Sequence, residues 1–228
     1  MSKPGASVPV HRVRFVDWSP SAITALALSP VAWTESAAVG RSVLAIGRDN
    51  GNIDLCTWCE GQSGSVAQGW SPVWTLLGEE NYKIESLAFT ASASHLRLFS
   101  TSGGSIVSEH YLPSSLTGQH AADTRTPTRT LSSHGGAIWS MAASPTGKFL
   151  AIGCEDGVVR LIDVAGDAFE HVGTGMHVAP RMTRVASRIL SLAWGPPRRQ
   201  MATSNDSDDD NDEAWRDTYL LGGLGNST

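Results

Sequence analysis

The stretch from Ile138 to Val164 reads IWSMAASPTGKFLAIGCEDGVVRLIDV. Over its first six residues, apolar and small side chains alternate with a period of two, which indicates a β-strand rather than a helix. A turn is predicted at 144–147, where a proline and a glycine stand in positions that turns favour. A second strand over 149–153 and a third over 158–163 follow, separated by a tight turn. This stretch therefore predicts three consecutive antiparallel strands.

The same succession of strands recurs elsewhere in the chain. Comparable units begin at Ile23, Ile84 and Ile189, so that successive starts lie 61, 54 and 51 residues apart. Self-similarity at a nearly constant period is the signature of a repeat architecture. Four-stranded units repeated around an axis make a β-propeller. We therefore predict an all-β, WD40-type β-propeller. The alternative is a sandwich of unrelated hairpins, which would not repeat its turns at matching offsets.

A tight turn between the second and third strands is common to these units. We expect a two-residue hairpin turn with positive φ, which glycine adopts freely and Asn or Asp tolerates. The predicted turn residues are Asp49, Asn50 and Gly51 in the first unit, Gly103 and Gly104 in the second, and Glu155, Asp156 and Gly157 in the third. Small residues in the second strands should let neighbouring units pack closely; they are Gly47, Ser100, Gly153 and Gly222.

The repeat pattern also sets the predicted domain organisation. Residues 1–9 are expected to be a disordered N-terminus, and residues 10–228 a partial propeller. Its predicted divisions are blade one at 22–78, blade two at 84–131, blade three at 137–172 and part of blade four at 188–228. This predicts an incomplete propeller of three blades and part of a fourth, a fragment of a longer protein. Because unpaired strand edges promote association, we expect this chain to be poorly soluble or oligomeric alone.

The net charge of −5 has a local origin. Residues 204–217 hold seven acidic residues and Arg216, so that the remaining chain is close to neutral. This polar, self-repelling segment is predicted to be a disordered insertion between two strands of blade four. Within it, Ser207 precedes three aspartates and is a candidate site for an acid-directed kinase, while a plain solvated insertion is the alternative.

No motif of a catalytic or metal site is recognised, and we expect a protein with no enzymatic activity, cofactor, metal or small-molecule substrate. The chain contains no GxSxG, HExxH or phosphate-binding loop sequence. Cys56 and Cys59 have the spacing of a zinc-binding pair, but a structural zinc site needs four ligands. We place Cys56 after the third strand of blade one and interpret the thiols as core or edge residues. No apolar run approaches the length of a membrane span.

Arginine residues are the candidate contacts to RNA or protein partners. Arg12 and Arg14 alternate with apolar residues on a predicted strand, and Arg198 and Arg199 follow the first strand of blade four. Arg181 and Arg184 lie in the loop before that strand. Cations of this kind bind phosphate groups, but a near-neutral body is a poor footprint for a dedicated nucleic-acid-binding protein.

Three tracts of the sequence resemble one known family. They are HRVRFVDWSPSAITALALSP from His11, GGAIWSMAASPTGKFLAIGCEDGVVRL from Gly135, and SRILSLAW from Ser187. They closely resemble the cirhin family of U3 small nucleolar RNA-associated WD40 proteins, which are subunits of the UtpA subcomplex of the small-subunit processome. Members of that family are longer and carry more blades, and here the usual Trp-Asp dipeptide is replaced by Ile162-Asp163.

The resemblance implies a nucleolar scaffold for early pre-ribosomal RNA processing. Its implied partners are other WD40 subunits of the processome and pre-rRNA, the latter bound with the help of neighbouring subunits. Two other functions remain open from the residues alone. One is a WD40 adaptor of a ubiquitin-ligase or cell-cycle complex, and the other is a regulatory propeller that is switched through its acidic loop. The aromatic residues Trp70, Trp74 and Tyr82 are interpreted as the fourth strand of blade one, with an exposed anchor patch as the alternative.

Overall fold

The computed structural model describes residues 21–30, 42–59, 69–78, 82–91, 96–112, 127–173, 184–199 and 215–225. Every regular element in these ranges is a β-strand. The described strands form three four-stranded sheets and parts of a fourth unit, and all pairs are antiparallel. Apolar period-two segments separated by turn residues produce this arrangement, because alternate side chains reach opposite faces of a sheet.

The strands follow each other in chain order within each sheet. Blade one contains β1 (Ile23–Leu28), β2 (Val43–Arg48), β3 (Ile53–Cys59) and β4 (Gly69–Leu76). Blade two contains β5 (Ser86–Ala91), β6 (Leu96–Thr101), β7 (Ile106–Tyr111) and β8 (Arg129–Ser132). Blade three contains β9 (Ile138–Ala143), β10 (Phe149–Cys154), β11 (Val159–Asp163) and β12 (Glu170–His171). In the fourth unit, β13 (Ile189–Trp194) pairs with β16 (Leu220–Leu224), and β14 (Arg198–Arg199) pairs with β15 (Trp215–Arg216).

The first strand of each blade contacts the first strand of the next, in the order β1, β5, β9 and β13. Sheets that neighbour each other through their first strands are the blades of a propeller. The prediction of an all-β propeller is confirmed for the described residues, which hold three four-stranded sheets and part of a fourth unit.

Neighbouring blades meet through small residues in their second strands. A Cβ atom on Gly47 would lie 2.6 Å from Ile84 Cγ2, at the start of the next blade. A Cβ atom on Gly153 would likewise lie 2.6 Å from Ile189 Cγ2. The hydroxyl of Ser140 donates a hydrogen bond of 2.9 Å to the backbone carbonyl of Ile189. Close approach of each blade to the isoleucine that opens the next therefore fixes their relative position.

The interface between blades one and two is an apolar cluster. It is built from β2 and β3 on one side and from β5 and β6 on the other, with Leu55, Leu96 and Leu98 fully buried. Toward the outer strands of blade two the residues become small and polar. They are Ser100 on β6, Ser108 and His110 on β7, and Thr130 on β8.

The interface between blades two and three combines an apolar cluster with a buried ion pair. Phe99 is fully buried, and its ring centroid lies 5.6 Å from that of Phe169. Arg97, with 1% of its side chain exposed, bonds through Nε to Glu109 Oε1 at 2.5 Å. The other oxygen of Glu109 accepts a 2.6 Å hydrogen bond from Arg129. Burial alone would raise the pKa of Glu109, but the hydrogen bonds from Arg129 and Arg97 outweigh it, and the pKa is lowered.

Arg97 also joins blade two to blade three directly. Its guanidinium donates to the carbonyl oxygens of Val164, Gly166 and Ala168 at 2.7, 2.8 and 2.8 Å. These carbonyls lie in the turn that connects β11 to β12. Arg129 adds a 2.8 Å hydrogen bond to the carbonyl of Asp167. These hydrogen bonds compensate the buried Arg97 for the loss of its contacts with water, whereas Arg129 remains partly exposed.

Several sequence-based expectations need correction in detail. Cys56 lies inside β3 rather than after it, because β3 continues to Cys59 and pairs with β4. Trp70 and Trp74 lie in β4 as expected, but Tyr82 lies outside this strand. The segment 204–217 was expected to be disordered throughout, but its residues Trp215 and Arg216 form β15. The residues of that segment before 215 lie outside the described part of the chain.

The turns between second and third strands also differ from the expected two-residue type. In blade one, the N–H of Arg48 donates to the carbonyl of Asn52, which leaves a three-residue loop at 49–51. Positive φ occurs at Gly51, with a value of 85°, and Asn50 does not share it. A hairpin with three loop residues uses a left-handed residue at its last position, which explains the glycine. In blade two this conformation falls on Gly103 rather than Gly104.

Candidate interaction surface

One end of the blades carries the turns at 49–51, 102–104 and 155–157 together with the segments that lead into the first strands. We call this end the turn face. The segments meet the turns because the start of each first strand pairs with the end of the second, as Ile23 pairs with Arg48 in blade one. Propellers bind their partners through such end surfaces, which a rigid scaffold holds in place.

The turn of blade three is held by a side-chain ion pair. Both Asp156 carboxylate oxygens accept hydrogen bonds from Arg160, at 3.0 and 2.7 Å. The hydrogen bonds from Arg160 hold the pKa of Asp156 below its usual range. Gly157 has a φ of 74°, and a Cβ atom there would lie 2.1 Å from the carbonyl oxygen of Val185. Glycine is therefore required twice at this position, for its conformation and for the contact with the segment that enters blade four.

Arg184 is one of the predicted contact residues, and it lies on the turn face. Its Nε donates a 3.0 Å hydrogen bond to the backbone carbonyl of Asp156. The next residue, Val185, donates through its N–H to the carbonyl of Gly157 at 3.0 Å. The Arg184 side chain is exposed, so that this region of the turn face presents an anchored cation to solvent.

A tryptophan that the sequence reasoning did not select lies nearby. Trp139 on β9 is 41% exposed, and its indole N–H donates to the carboxylate of Glu155. The guanidinium of Arg188 stands 4.6 Å above the centroid of the Trp139 ring and 3.6 Å from Glu155 Oε1. Tryptophan and arginine are enriched among residues that dominate binding energy at protein interfaces. The feature of the sequence that could have indicated Trp139 is a large aromatic residue among the mostly small residues of β9.

Arg198 and Arg199 lie at the other end of blade four. They form β14, beyond the end of the six-residue strand β13, whereas Arg184 precedes its start. A strand of this length separates its ends by roughly 20 Å. Close to β14, the carboxylate of Asp217 accepts a 3.1 Å hydrogen bond from the backbone N–H of Thr146, which connects blades four and three. The structure therefore does not bring Arg184 together with Arg198 and Arg199.

The remaining candidate contacts fall outside the described residues. They are Arg12, Arg14 and Arg181, and the candidate phosphorylation site Ser207 lies there as well.

Charges on the described part of the turn face are mixed in sign. Lys83 pairs with Glu85 at 3.0 Å, and Arg188 lies 3.6 Å from Glu155. Phosphate binding relies on cations that replace counterions along the nucleic-acid backbone, and paired cations are less available for it. This surface is better suited to a protein partner, for which aromatic residues and arginines supply the anchors.

Four potentially reactive side chains among the described residues are poorly placed for catalysis. His110 Nε2 lies 2.8 Å from Ser100 Oγ, but burial lowers the pKa of His110 to about 4. An imidazole with that pKa is a weak base at neutral pH, and Ser100 is itself buried. Burial raises the pKa of the Cys56 and Cys154 thiols, which makes them poor nucleophiles.

The part of the chain that the structure describes also lacks two kinds of feature. It holds no group of three or more His, Cys, Asp or Glu side chains placed to bind a metal ion. Likewise, none of its segments is a helix of sufficient length and hydrophobicity to cross a membrane.

The chain is similar to known proteins along most of its length. Residues 125–163 match the family model "WD domain, G-beta repeat". The chain is 33% identical over 186 residues, 81% of its length, to U3 small nucleolar RNA-associated protein 4 of Saccharomyces cerevisiae. It is 30% identical over 196 residues, 86% of its length, to the human homolog of that protein. These matches cover 21% and 23% of the relatives, so that the chain spans about a fifth of their length.

Among solved structures, the chain resembles one from a Chaetomium thermophilum Polycomb Repressive Complex 2 bound to GSK126, with a TM-score of 0.50. The sequence identity is 16%, and the likeness covers 67% of this chain and 31% of that one. At this level of identity, the likeness concerns the fold alone.

Proposed function

We propose that this chain belongs to a non-catalytic WD40 scaffold in ribosome biogenesis. In this function it supports early processing of pre-rRNA toward 18S rRNA and maturation of the small ribosomal subunit. The observation that carries the proposal is the similarity to U3 small nucleolar RNA-associated protein 4, at 33% identity over 81% of this chain. The proposed location is the nucleolus, where a protein with this role acts on nascent RNA.

The mechanism is the presentation of a rigid surface, with no chemical step. Blade positions are fixed by the close contacts of Gly47 with Ile84 and of Gly153 with Ile189. Between blades two and three, Arg97 adds hydrogen bonds to three carbonyl groups. A surface held in this way does not have to be ordered when a partner binds, which reduces the entropic cost of association.

The proposed partners are other WD40 subunits of the small-subunit processome. The Trp139–Arg188–Glu155 cluster on the turn face offers an aromatic and a charged anchor to such a protein. Pre-rRNA is proposed as a second partner that is bound with the help of these subunits, because the described turn face has mixed charge.

Affinity purification of the tagged protein from growing cells tests the function. Mass spectrometry and RNA sequencing of the eluate should recover other WD40 processome subunits together with the 5′ external spacer of pre-rRNA. Substitution Trp139→Ala should reduce recovery of the protein partners. The matched control is Trp58→Ala, because Trp58 is 37% exposed and lies near the end of β3, away from the turn face. Recovery of ubiquitin-ligase or cell-cycle subunits without pre-rRNA would contradict the proposal.

Phosphorylation of Ser207 is proposed as a modification of this scaffold. Asp208, Asp209 and Asp210 follow it directly, which is the pattern that acid-directed kinases recognise. A phosphate would add negative charge to an already acidic segment and strengthen its attraction to basic partners. Mass spectrometry of the peptide from growing cells should detect one phosphate on it, and an unmodified peptide would refute the idea.

A further inference from the structure

A cleft opens between the outer parts of blades one and two. Its volume is about 400 Å³, which is within the size range of ligand sites in proteins. Blade one supplies a wall from Ile53, Leu76 and Leu77, and the face of blade two supplies the floor from Ser108 and Thr130. The cleft is open to solvent, and three of its lining residues, Leu77, Tyr82 and Ile106, are exposed hydrophobic residues at its rim.

The cleft exists because blade two has different residues on its two faces. On β7, Ile106, Ser108 and His110 face blade one, while Val107 and Glu109 alternate with them and face blade three. On the face toward blade three, Arg97, Phe99 and Glu109 fill the space between the outer strands. On the other face Ser100 and Ser108 are small, and the cleft lies beside them.

The chemistry of the cleft restricts what can occupy it. None of the described residues that line it carries a formal charge at neutral pH, since His110 is neutral when its pKa is about 4. A charged group buried against these described residues would therefore lack a compensating partner among them. A nucleic acid would bring phosphates to a site whose described lining has no cation, and phosphate contacts supply most of the affinity for nucleic acids. Hydroxyl groups and an apolar rim instead match an uncharged peptide.

We propose that this cleft binds an uncharged, extended peptide segment of a partner protein. The segment inserts one aliphatic or aromatic side chain against Leu77 and Ile106, and its backbone amide groups bond to the hydroxyl groups of the floor. The site lies between blades, apart from the Trp139 cluster on the turn face, and is independent of the proposed function. A hydroxyl floor suits a peptide backbone, because each amide brings one donor and one acceptor.

Methyl NMR with defined peptides tests the proposal. The probes are capped tripeptides Ala-Xaa-Ala in which Xaa is Leu, Phe, Glu or Lys, with adenosine as a nucleobase probe. The full chain is labelled at its isoleucine methyl groups, because Ile53, Ile84 and Ile106 line the cleft. Ile152 and Ile162, which lie in the cluster between blades two and three, are internal controls. We expect the Leu and Phe peptides to shift only the cleft methyl groups, with Kd on the order of 1 mM.

Variants at the floor of the cleft separate specific binding from adsorption. Thr130→Phe, at an exposed position, places a ring over the cleft and should weaken binding of the Phe peptide at least about tenfold. Ser108→Phe should have the same effect from a deeper position. Thr24→Phe adds a ring on an exposed residue of β1 and should leave the Kd unchanged.

Three results would overturn the proposal. One is that no peptide shifts the methyl groups of Ile53, Ile84 or Ile106. Another is equal binding of the Glu or Lys peptides, since that contradicts selection for an uncharged segment. The third is binding of adenosine without binding of the Leu or Phe peptides, which would assign the cleft to a nucleobase.

Discussion

The two faces of blade two make interfaces of opposite character with their neighbours. Toward blade three, the outer strands are joined by Arg97, Glu109 and Arg129, and the space is filled. Toward blade one, the same strands present Ser108 and His110, and a cleft of about 400 Å³ remains. Because successive residues of a strand point to opposite faces, the six-residue strand β7 contributes Glu109 to one interface and Ser108 and His110 to the other. The comparison shows that a propeller does not need equal packing between all of its blades.

Among the changes that test the difference between the two interfaces, removal of Glu109 should have the largest effect on the free energy of unfolding. Glu109→Ala leaves Arg97 buried without its counterion, which we expect to lower the free energy of unfolding by about 3–5 kcal/mol. The matched control is Asp54→Ala in blade one. Asp54 Oδ2 lies 2.8 Å from Arg48 Nε in a partly exposed ion pair, which should contribute about 1 kcal/mol or less to the free energy of unfolding. Urea unfolding of both variants measures the difference. Equal losses would show that the buried pair is no more important than the exposed one.

The two interfaces should also respond to acid at different pH values. Burial lowers the pKa of His110 from 6.5 to about 4, so the unfolded chain binds a proton there before the folded chain does. The contribution of His110 to the free energy of unfolding is therefore fully present above about pH 6.5. It is lost as the pH falls toward 4, by about 3 kcal/mol at most. The pKa of Glu109 is also lowered, but its contribution is lost only below the ordinary glutamate value of 4.5.

Unfolding measured from pH 7 to pH 4 checks this assignment. His110→Asn should remove most of the loss between pH 6.5 and pH 4 and leave the decline at lower pH in place. A variant that loses stability as steeply as the parent over this range would show that another group is responsible.

Adding one methyl group at equivalent positions should reveal the room that the cleft provides. Gly153→Ala places a Cβ atom 2.6 Å from Ile189 Cγ2 and 2.4 Å from Ser140 Oγ, and we expect a loss of about 1–3 kcal/mol. Gly47→Ala makes a similar contact with Ile84, which is 4% exposed but borders the cleft, so we expect its side chain to relax toward that space. We therefore expect Gly47→Ala to lower the free energy of unfolding by about 1 kcal/mol or less. Thermal unfolding of the two variants measures the difference. Equal losses of stability would mean that the cleft gives Ile84 no room to move.

The smallest effect is expected at Thr130, in the part of the cleft floor that is exposed. Thr130 is exposed on β8, so Thr130→Phe should change the free energy of unfolding by no more than about 0.5 kcal/mol. The measurement is urea unfolding beside the parent chain. A large loss would show that the outer strands of blades one and two pack more closely than the cleft indicates.

The sequence predicted the repeated strands well because their information is local. Alternation in Ile138–Ala143 and the spacing of the turn glycines depend on neighbouring residues only, and the sheets follow them. The expected turn type was wrong, because a glycine at the end of a short loop is compatible with two or three loop residues. The hydrogen bond from Arg48 to Asn52 decides between them.

The candidate site was predicted less completely. Arg184 was selected for its charge, but its attachment to the carbonyl of Asp156 depends on residues 28 positions apart. Trp139 was assigned to a strand without a role, because alternation does not show which side chains remain exposed once blades assemble. Its contact with Arg188 crosses from blade three to blade four.

By itself, the sequence determined the fold class, the order of the strands and the positions of the turns. These depend on side-chain alternation and on backbone preferences that act over a few residues. Only the tertiary structure decided that Arg97 reaches the carbonyls of Val164, Gly166 and Ala168, and that a cleft remains beside Ser108. Both features depend on how two sheets approach each other. That distance results from the summed shape of all the residues between them, which no local pattern records.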